Sequence, residues 1–332
     1  MQRLGVLVGG GALLAVLGAC ADAAPPTTTP NVQNVQQAGS PQFREFTLVA
    51  ERVQHELAPG VLVTAWGYNG QVPGPELRAT EGDTVRVTFT NNLPVPTTVH
   101  WHGVDVPWTM DGVPGVSQAP VQPGETFVYE FVARPAGTRF YHTHGSGQHD
   151  EAFQLDMGLS GPLVIEPADG ALPYDVEMTL VLDEWSTAGM ADPEAMAGHA
   201  MDYDVFTLNG KAWPATEPLV VRQGQRVRVR LINAGTSATH PMHLHGHSFR
   251  VVAVDGNPVP PGQQGVRDTL PVAPGERYDI EFVADNPGVW VFHCHELHHA
   301  DGGMVTLVQY EGYGLDTARP TPMPSSMPGM AH

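Results

Sequence analysis

Residues His293-Cys294-His295-Glu296-Leu297-His298-His299-Ala300-Asp301-Gly302-Gly303-Met304 crowd a thiol, four imidazoles and a thioether into one short run. Folding must place that run around metal or leave it without purpose. Cys294, an imidazole five residues on at His299 and a thioether five further at Met304 are three of the four ligands of a blue-copper site, in which trigonal His2Cys ligation is completed by a weak axial Met. If the chain around Cys294 is a strand, its side chains alternate, so His293 and His295 face away from the thiolate toward a second metal centre.

A second centre needs further histidines. The chain supplies them as His100-Trp101-His102-Gly103, His142-Thr143-His144 and His240-Pro241-Met242-His243-Leu244-His245, each expected near a strand end. One His-x-His pair is a weak signal. Four clusters drawing on ten of the 16 histidines are metal-ligand spacing rather than surface accident.

These four motifs resemble the copper-binding segments of the multicopper oxidase family, over about Val85 to Leu307. The resemblance implies four coppers per chain. His240, Cys294, His299 and Met304 would bind the type 1 copper, and His100 and His243 the type 2 copper. One type 3 copper would be held by His102, His142 and His295, the other by His144, His245 and His293. The activity implied is laccase-like: one-electron oxidation of phenols or aromatic amines at the type 1 site, coupled to four-electron reduction of dioxygen to water at the trinuclear cluster. His299 is then the electron-entry residue and Cys294 the bridge. Axial Met304 favours a low to moderate potential, because axial ligation tunes this couple. The other readings are a cuprous or ferrous metallo-oxidase serving copper tolerance, and a copper-binding or electron-transfer protein that uses only its blue site.

The chain is also an internal repeat. Gly82-Asp83-Thr84-Val85-Arg86-Val87-Thr88-Phe89 matches Gly224-Gln225-Arg226-Val227-Arg228-Val229-Arg230-Leu231, both alternating as half-buried strands do. Pro123-Gly124-Glu125 recurs as Pro274-Gly275-Glu276, and Phe140 to His144 recurs as Val291 to His295. Abundant Gly (37) and Pro (31) with only 15% charged residues favours turn-rich all-β structure. Greek-key sandwiches are expected, which the resemblance sharpens to two cupredoxin domains, residues 43–168 and 172–313. Thr143 stands where Cys294 stands in the repeat, and a hydroxyl cannot replace a soft thiolate. Domain 1 should therefore lack a type 1 copper, with Met157 a packing residue. That distribution resembles the two-domain, small-laccase branch and not a two-domain nitrite reductase.

In that branch the trinuclear cluster forms between domain 1 of one subunit and domain 2 of the next, a head-to-tail contact that must close into a ring. A homotrimer is expected. Oxygen reduction consumes protons, which a nearby carboxylate can deliver. Asp111 of Met110-Asp111-Gly112 is the acid that the resemblance places near the type 2 copper, with a simple turn pair as the other reading. A second acid found in many relatives directly after the residue matching His299 is replaced by Ala300, leaving Glu296 and Asp301 as substitutes.

A formal net charge of −19 argues against nucleic acid or an anionic membrane surface as partner, since phosphate contacts need clustered Lys and Arg. Residues 1–20 read as a signal peptide. Leu17-Gly18-Ala19-Cys20 resembles a lipobox, with 21–42 as a flexible tether; ordinary cleavage after Ala19, Ala21 or Ala23 is the alternative. The protein is expected to be exported, periplasmic or extracellular, and tethered by a lipid at Cys20. Met190, Met196, His199 and Met201, and Met323, Met327, Met330 and His332 of the Pro-rich tail (314–332), offer soft ligands suited to Cu(I) or are solvated segments. His55, His149, His247 and His298 are assigned to the surface or to support of ligands, and Trp66, Trp185 and Trp213 to the core.

Overall fold

The computed structural model describes residues 40–145, 150–170, 173–188 and 202–315. The leader with Cys20, His149, the Met190 to Met201 segment and the tail from residue 316 lie outside them. Strands β1 (Phe43–Ala58), β2 (Val61–Tyr68), β3 (Leu77–Thr80), β4 (Thr84–Asn91), β5 (His100–His102), β6 (Thr126–Val132), β7 (Gly137–His142) and β8 (Ser160–Glu166) come first. They form two four-stranded sheets, ordered β2-β1-β4-β6 and β3-β8-β7-β5. Alternation in β4 sends Val85, Val87 and Phe89 inward, where they meet Trp101, Tyr129 and Tyr141 in one core.

The second half repeats this plan with β9 (Val176–Trp185), β10 (Val205–Leu208), β11 (Leu219–Val221), β12 (Arg226–Asn233), β13 (His240–Leu244), β14 (Phe249–Val254), β15 (Asn257–Pro258), β16 (Val266–Arg267), β17 (Thr269–Val272), β18 (Arg277–Val283), β19 (Val289–Cys294) and β20 (Val305–Tyr310). One sheet runs β10-β9-β12-β18-β14-β15 with β16 on β14, the other β11-β20-β19-β13-β17. The parallel pairs β1/β4 and β3/β8 recur as β9/β12 and β11/β20. The protein is thus all-β, two cupredoxin-like Greek-key sandwiches. The repeat extends to hydrogen bonds. Buried Asn91 and Asn233 end equivalent strands, each donating its side-chain amide to two backbone carbonyls, Val95 and Val121 in one half and Ala238 and Val272 in the other.

The halves diverge where they meet. β12 was expected to alternate like β4, yet it is buried along nearly its whole length, because its polar face lies against the first sandwich. Arg230 Nη1 donates to Thr138 Oγ1 at 2.7 Å and to Asp279 Oδ2 at 3.0 Å, and Thr138 donates to Asp279 Oδ1 at 2.5 Å. A buried cation persists only with such partners. His55, read above as a surface or supporting histidine, is buried at the same junction and donates from Nε2 to Gly210 O at 2.6 Å. Trp66 and Trp185 pack in the first core, Trp185 crossing from the second half, whereas Trp213 is only half-buried.

The helix Asp150–Asp156 ends on a buried carboxyl that bridges the halves. Asp156 Oδ1 accepts from Thr236 Oγ1 at 2.7 Å and Tyr203 OH at 3.1 Å. Burial pushes its pKa up to about 7, against those hydrogen bonds, which favour the ionised form. An acid that holds its proton more tightly folded than unfolded contributes stability below about pH 4 that is lost as pH rises through about 7. Asp156→Asn, which keeps the accepting oxygen, should therefore gain on the order of 2–4 kcal/mol over the wild type between pH 4 and pH 8. Denaturant unfolding of both proteins at the two pH values, at equal copper content, checks this; parallel curves would refute it.

Candidate metal centres

Strand alternation places the first centre. In the β13/β19 ladder Met242 is opposite Cys294 and His243 opposite His293, so Cys294 points into the second core while His293 points out. His240 sits at the start of β13 and His299 on the short helix Leu297–Asp301 that follows β19. His240 Nδ1 and His299 Nδ1 lie 3.2 Å apart, 3.9 and 3.6 Å from Cys294 Sγ. Met304 is fully buried and tied in by its backbone: its N–H donates to His299 O and its carbonyl accepts from Cys294 N–H, both at 3.0 Å. Phe206 stacks on His299 with ring centroids 4.1 Å apart.

The outward nitrogens of both imidazoles meet carboxylates. His240 Nε2 is 3.3 Å from Glu184 Oε2 and His299 Nε2 is 3.2 Å from Glu296 Oε2. A carboxylate can only accept, and a proton on each Nε2 leaves both Nδ1 lone pairs facing each other, though the His240 Nε2 contact lacks hydrogen-bond geometry. That arrangement is repulsive without a cation between them. Burial would raise Glu184, but the adjacent His240 ring and hydrogen bonds from the Ala238 and Ser237 N–H groups prevail and hold it below the usual carboxylate range. Burial pushes the Cys294 thiol up to about 12, so it ionises only when a bound cation replaces its proton. Two imidazoles, a buried thiol and a buried thioether residue fit copper.

The other eight histidines form two groups, one per sandwich. In the first, His100 and His142 are cross-strand partners, with His102 and His144 beside them. In the second, His243 and His293 are partners, with His245 and His295 beside them. Every ring contact among the eight runs within one group. Backbone carbonyls set half of the tautomers. Nδ1 of His100, His142, His243 and His293 donates to Asp111 O (2.7 Å), Thr143 O (2.6 Å), Asp268 O (2.9 Å) and Cys294 O (2.8 Å). Their Nε2 lone pairs are thereby left for metal. His102 instead turns Nδ1 toward His142 Nε2, 3.3 Å away. Ligand atoms of His100, His102 and His142 converge within 4.8 Å of one another, as do those of His243, His245 and His293. Burial, reinforced by the Arg277 charge, pushes His102 down to about 4, and burial drives His142 well below its ordinary value. Burial also lowers His245 and His293. All four are neutral at pH 7, as metal ligands must be.

Several acids surround these groups. Asp111 Oδ1 is 3.3 Å from His100 Nδ1. Glu296 does not approach the histidine groups; it serves His299, and Asp301 is exposed. The acid that approaches a histidine there is Glu151, 3.2 Å from His144 Nδ1. It borders a cleft of about 360 Å³ between the sandwiches, lined also by His102, His142, Asn233 and Thr236. Glu151, Glu184 and Phe206 were not foreseen. Only Glu184 left a sequence signal, an acid at the end of the apolar run of β9.

The first sandwich fills the place of the thiol centre with hydroxyl and amide groups. Thr97, three residues before His100 as His240 is before His243, shares a 2.8 Å hydrogen bond with Thr143, which donates to Gln154 Oε1 at 2.7 Å; Gln154 Nε2 donates to Pro96 O at 3.0 Å. His247 is buried and pairs with Tyr310 OH at 2.7 Å, and His298 is exposed.

Residues 50–170 and 187–312 each match a family model described as multicopper oxidase, and the chain belongs to that copper-dependent family. It is similar to the solved structure of the blue copper oxidase from Nitrosomonas europaea, at 35% identity and TM-score 0.78 over 86% of this chain and 91% of that one. It is likewise similar to the multicopper oxidase mgLAC, at 36% identity and TM-score 0.76 over 83% and 88%. A curated relative, dihydrogeodin oxidase of Aspergillus terreus, is 34% identical over 78% of this chain and 46% of its own length. The chain spans about half the length of the curated relatives it matches.

Gly112 closes the turn that brings Asp111 O to His100. Its φ is +81°, and a Cβ would lie 1.9 Å from Val99 O. Gly112→Ala should cost more than about 2 kcal/mol. An unfolding free energy within ~0.5 kcal/mol of the wild type would contradict this account of the turn.

Proposed function

We propose that the chain is a laccase-type oxidase that takes electrons singly from phenols or aromatic amines and reduces dioxygen to water. The observation that carries this reading is the adjacency of Cys294, in the buried thiol centre, to His293, in an outward histidine group. Copper at these positions would supply the redox chemistry, a type 1 ion at Cys294 and a type 2 ion with a type 3 pair at the histidines, four per chain. His240, Cys294, His299 and Met304 form the first ligand set. His100 and His243 are the type 2 ligands; His102, His142 and His295, and His144, His245 and His293, hold the type 3 pair.

His299, 14% exposed in its side chain, is the electron-entry edge, and Cys294 is the covalent link onward. Asp111, held at His100 and partly exposed, hands protons inward. The separation of the two histidine groups supports a homotrimer, in which the first group of one subunit meets the second group of the next. Exposed Trp108, Val116 and Val266, at 68, 70 and 60% exposure, are consistent with contact to another copy. We read residues 43–168 and 172–313 as the two domains, exported behind the leader and tethered at Cys20. Glu296 at the His299 edge favours a second reading, oxidation of Cu(I) or Fe(II), because a carboxylate there attracts cations.

Cys294→Ser should lose the intense blue absorption and all dioxygen uptake while staying folded by circular dichroism; a blue, active variant would end this reading. Light scattering of the copper-loaded wild type should give three times the chain mass, whereas an active monomer with four coppers would exclude the interfacial cluster. Dioxygen uptake with a methoxyphenol, Cu(I) and Fe(II) side by side separates the two substrate readings.

A further inference from the structure

We propose that Glu184 and Glu296 are positioning residues that hold the type 1 copper at a low reduction potential by setting a carboxylate against Nε2 of each of its histidines. The inference rests on the copper reading above and goes beyond its ligand set. It starts from a contrast within the molecule. In the two outward groups, His100, His142, His243 and His293 donate their spare N–H to backbone carbonyls, and two of the eight histidines lie beside an acid, His100 at Asp111 and His144 at Glu151. At the Cys294 centre both histidines face carboxylates, at 3.3 and 3.2 Å. A carbonyl offers a partial charge and a carboxylate a whole one. A carboxylate beside the far nitrogen makes an imidazole the more basic ligand and stabilises the oxidised, more highly charged ion.

The two arms differ in setting. Glu184 and His240 are both fully buried, and Glu184 Oε1 also accepts from Ser237 N (2.7 Å) and Ala238 N (2.9 Å). Its position is fixed by backbone and its field is little screened. Glu296 is half-buried, and its Oε2 also accepts from the His299 N–H at 2.9 Å, capping the short helix. One oxygen thus fixes the backbone and the ring of His299 together. The consequence is selective: a centre of low potential draws electrons only from easily oxidised reductants, and the final acid of the entry path is a property of this chain's Glu296-Leu297-His298-His299 spacing.

The test is a spectroelectrochemical titration of the blue band in full-length, copper-loaded protein. Glu296→Gln keeps one oxygen for the His299 N–H, so the band should persist while the potential rises by about 59 mV, a tenfold change in the reduced-to-oxidised ratio. Asp301→Asn, which removes an exposed acid from the same helix, should leave the ratio within about twofold. Glu184→Gln should shift the potential further upward; should that variant not fold, Glu296→Gln alone decides. A blue Glu296→Gln protein whose ratio stays within twofold of the wild type, or an Asp301→Asn shift equal to that of Glu296→Gln, overturns the inference while leaving the copper reading intact. Absence of a blue band from the wild type overturns the copper reading and this inference with it.

Discussion

The period-two alternation of a single strand is the constraint on which the rest of the molecule depends. Because β19 ends with His293 and Cys294 on opposite faces, one peptide unit joins a buried thiol centre to an outward histidine group. A one-residue slip of β19 against β13 would send Cys294 to the surface and bury His293, undoing both centres at once. Register is therefore held from several sides. Cys294 N–H bonds to Met304 O and His295 N–H to Pro241 O, while Phe292 and Met242 lock the inward face into the core. The ligands are thus also what fixes the ladder that presents them.

The two halves answer the same packing problem with opposite chemistry. In the second sandwich the space between strands is closed by donors whose lone pairs converge, which is stable only around a cation. In the first, Thr97, Thr143 and Gln154 satisfy each other, so nothing is left to bind. A buried polar network must be complete or it costs more than apolar packing; the first sandwich completes it with hydroxyls and an amide, the second with an ion. Fold and repeat are shared, and a few side chains decide which half can carry redox chemistry.

Much of this was legible in the chain because the information is local. Histidine spacing, the Cys294 to Met304 run and the matched Val85/Val227 strands are patterns a few residues long, and local patterns survive into structure. Glu184 was not legible as the partner of His240, since it lies 56 positions earlier and is joined to it only by the pairing of distant strands. Glu151 was missed for the related reason that only helix Asp150–Asp156 turns it back on His144. The burial of Arg230 and His55 escaped because alternation reports which face of a strand is polar, not whether another sandwich covers that face. Interfaces between two halves of one chain are the contacts that periodicity cannot see.

That limit bears on the histidine groups. Each offers three converging ligand atoms, too few for the proposed cluster of eight imidazoles. His245 and His295 are exposed, although a buried, water-excluding site strengthens every electrostatic interaction at the reacting centre. Filling either group with solvent-exposed metal would forgo that advantage. In the proposed assembly a second copy would supply both missing features, the complementary imidazoles and the cover. With the first group of one subunit set against the second group of the next, a head-to-tail contact would close on itself in a ring, and the open geometry of each half-site is the argument for it.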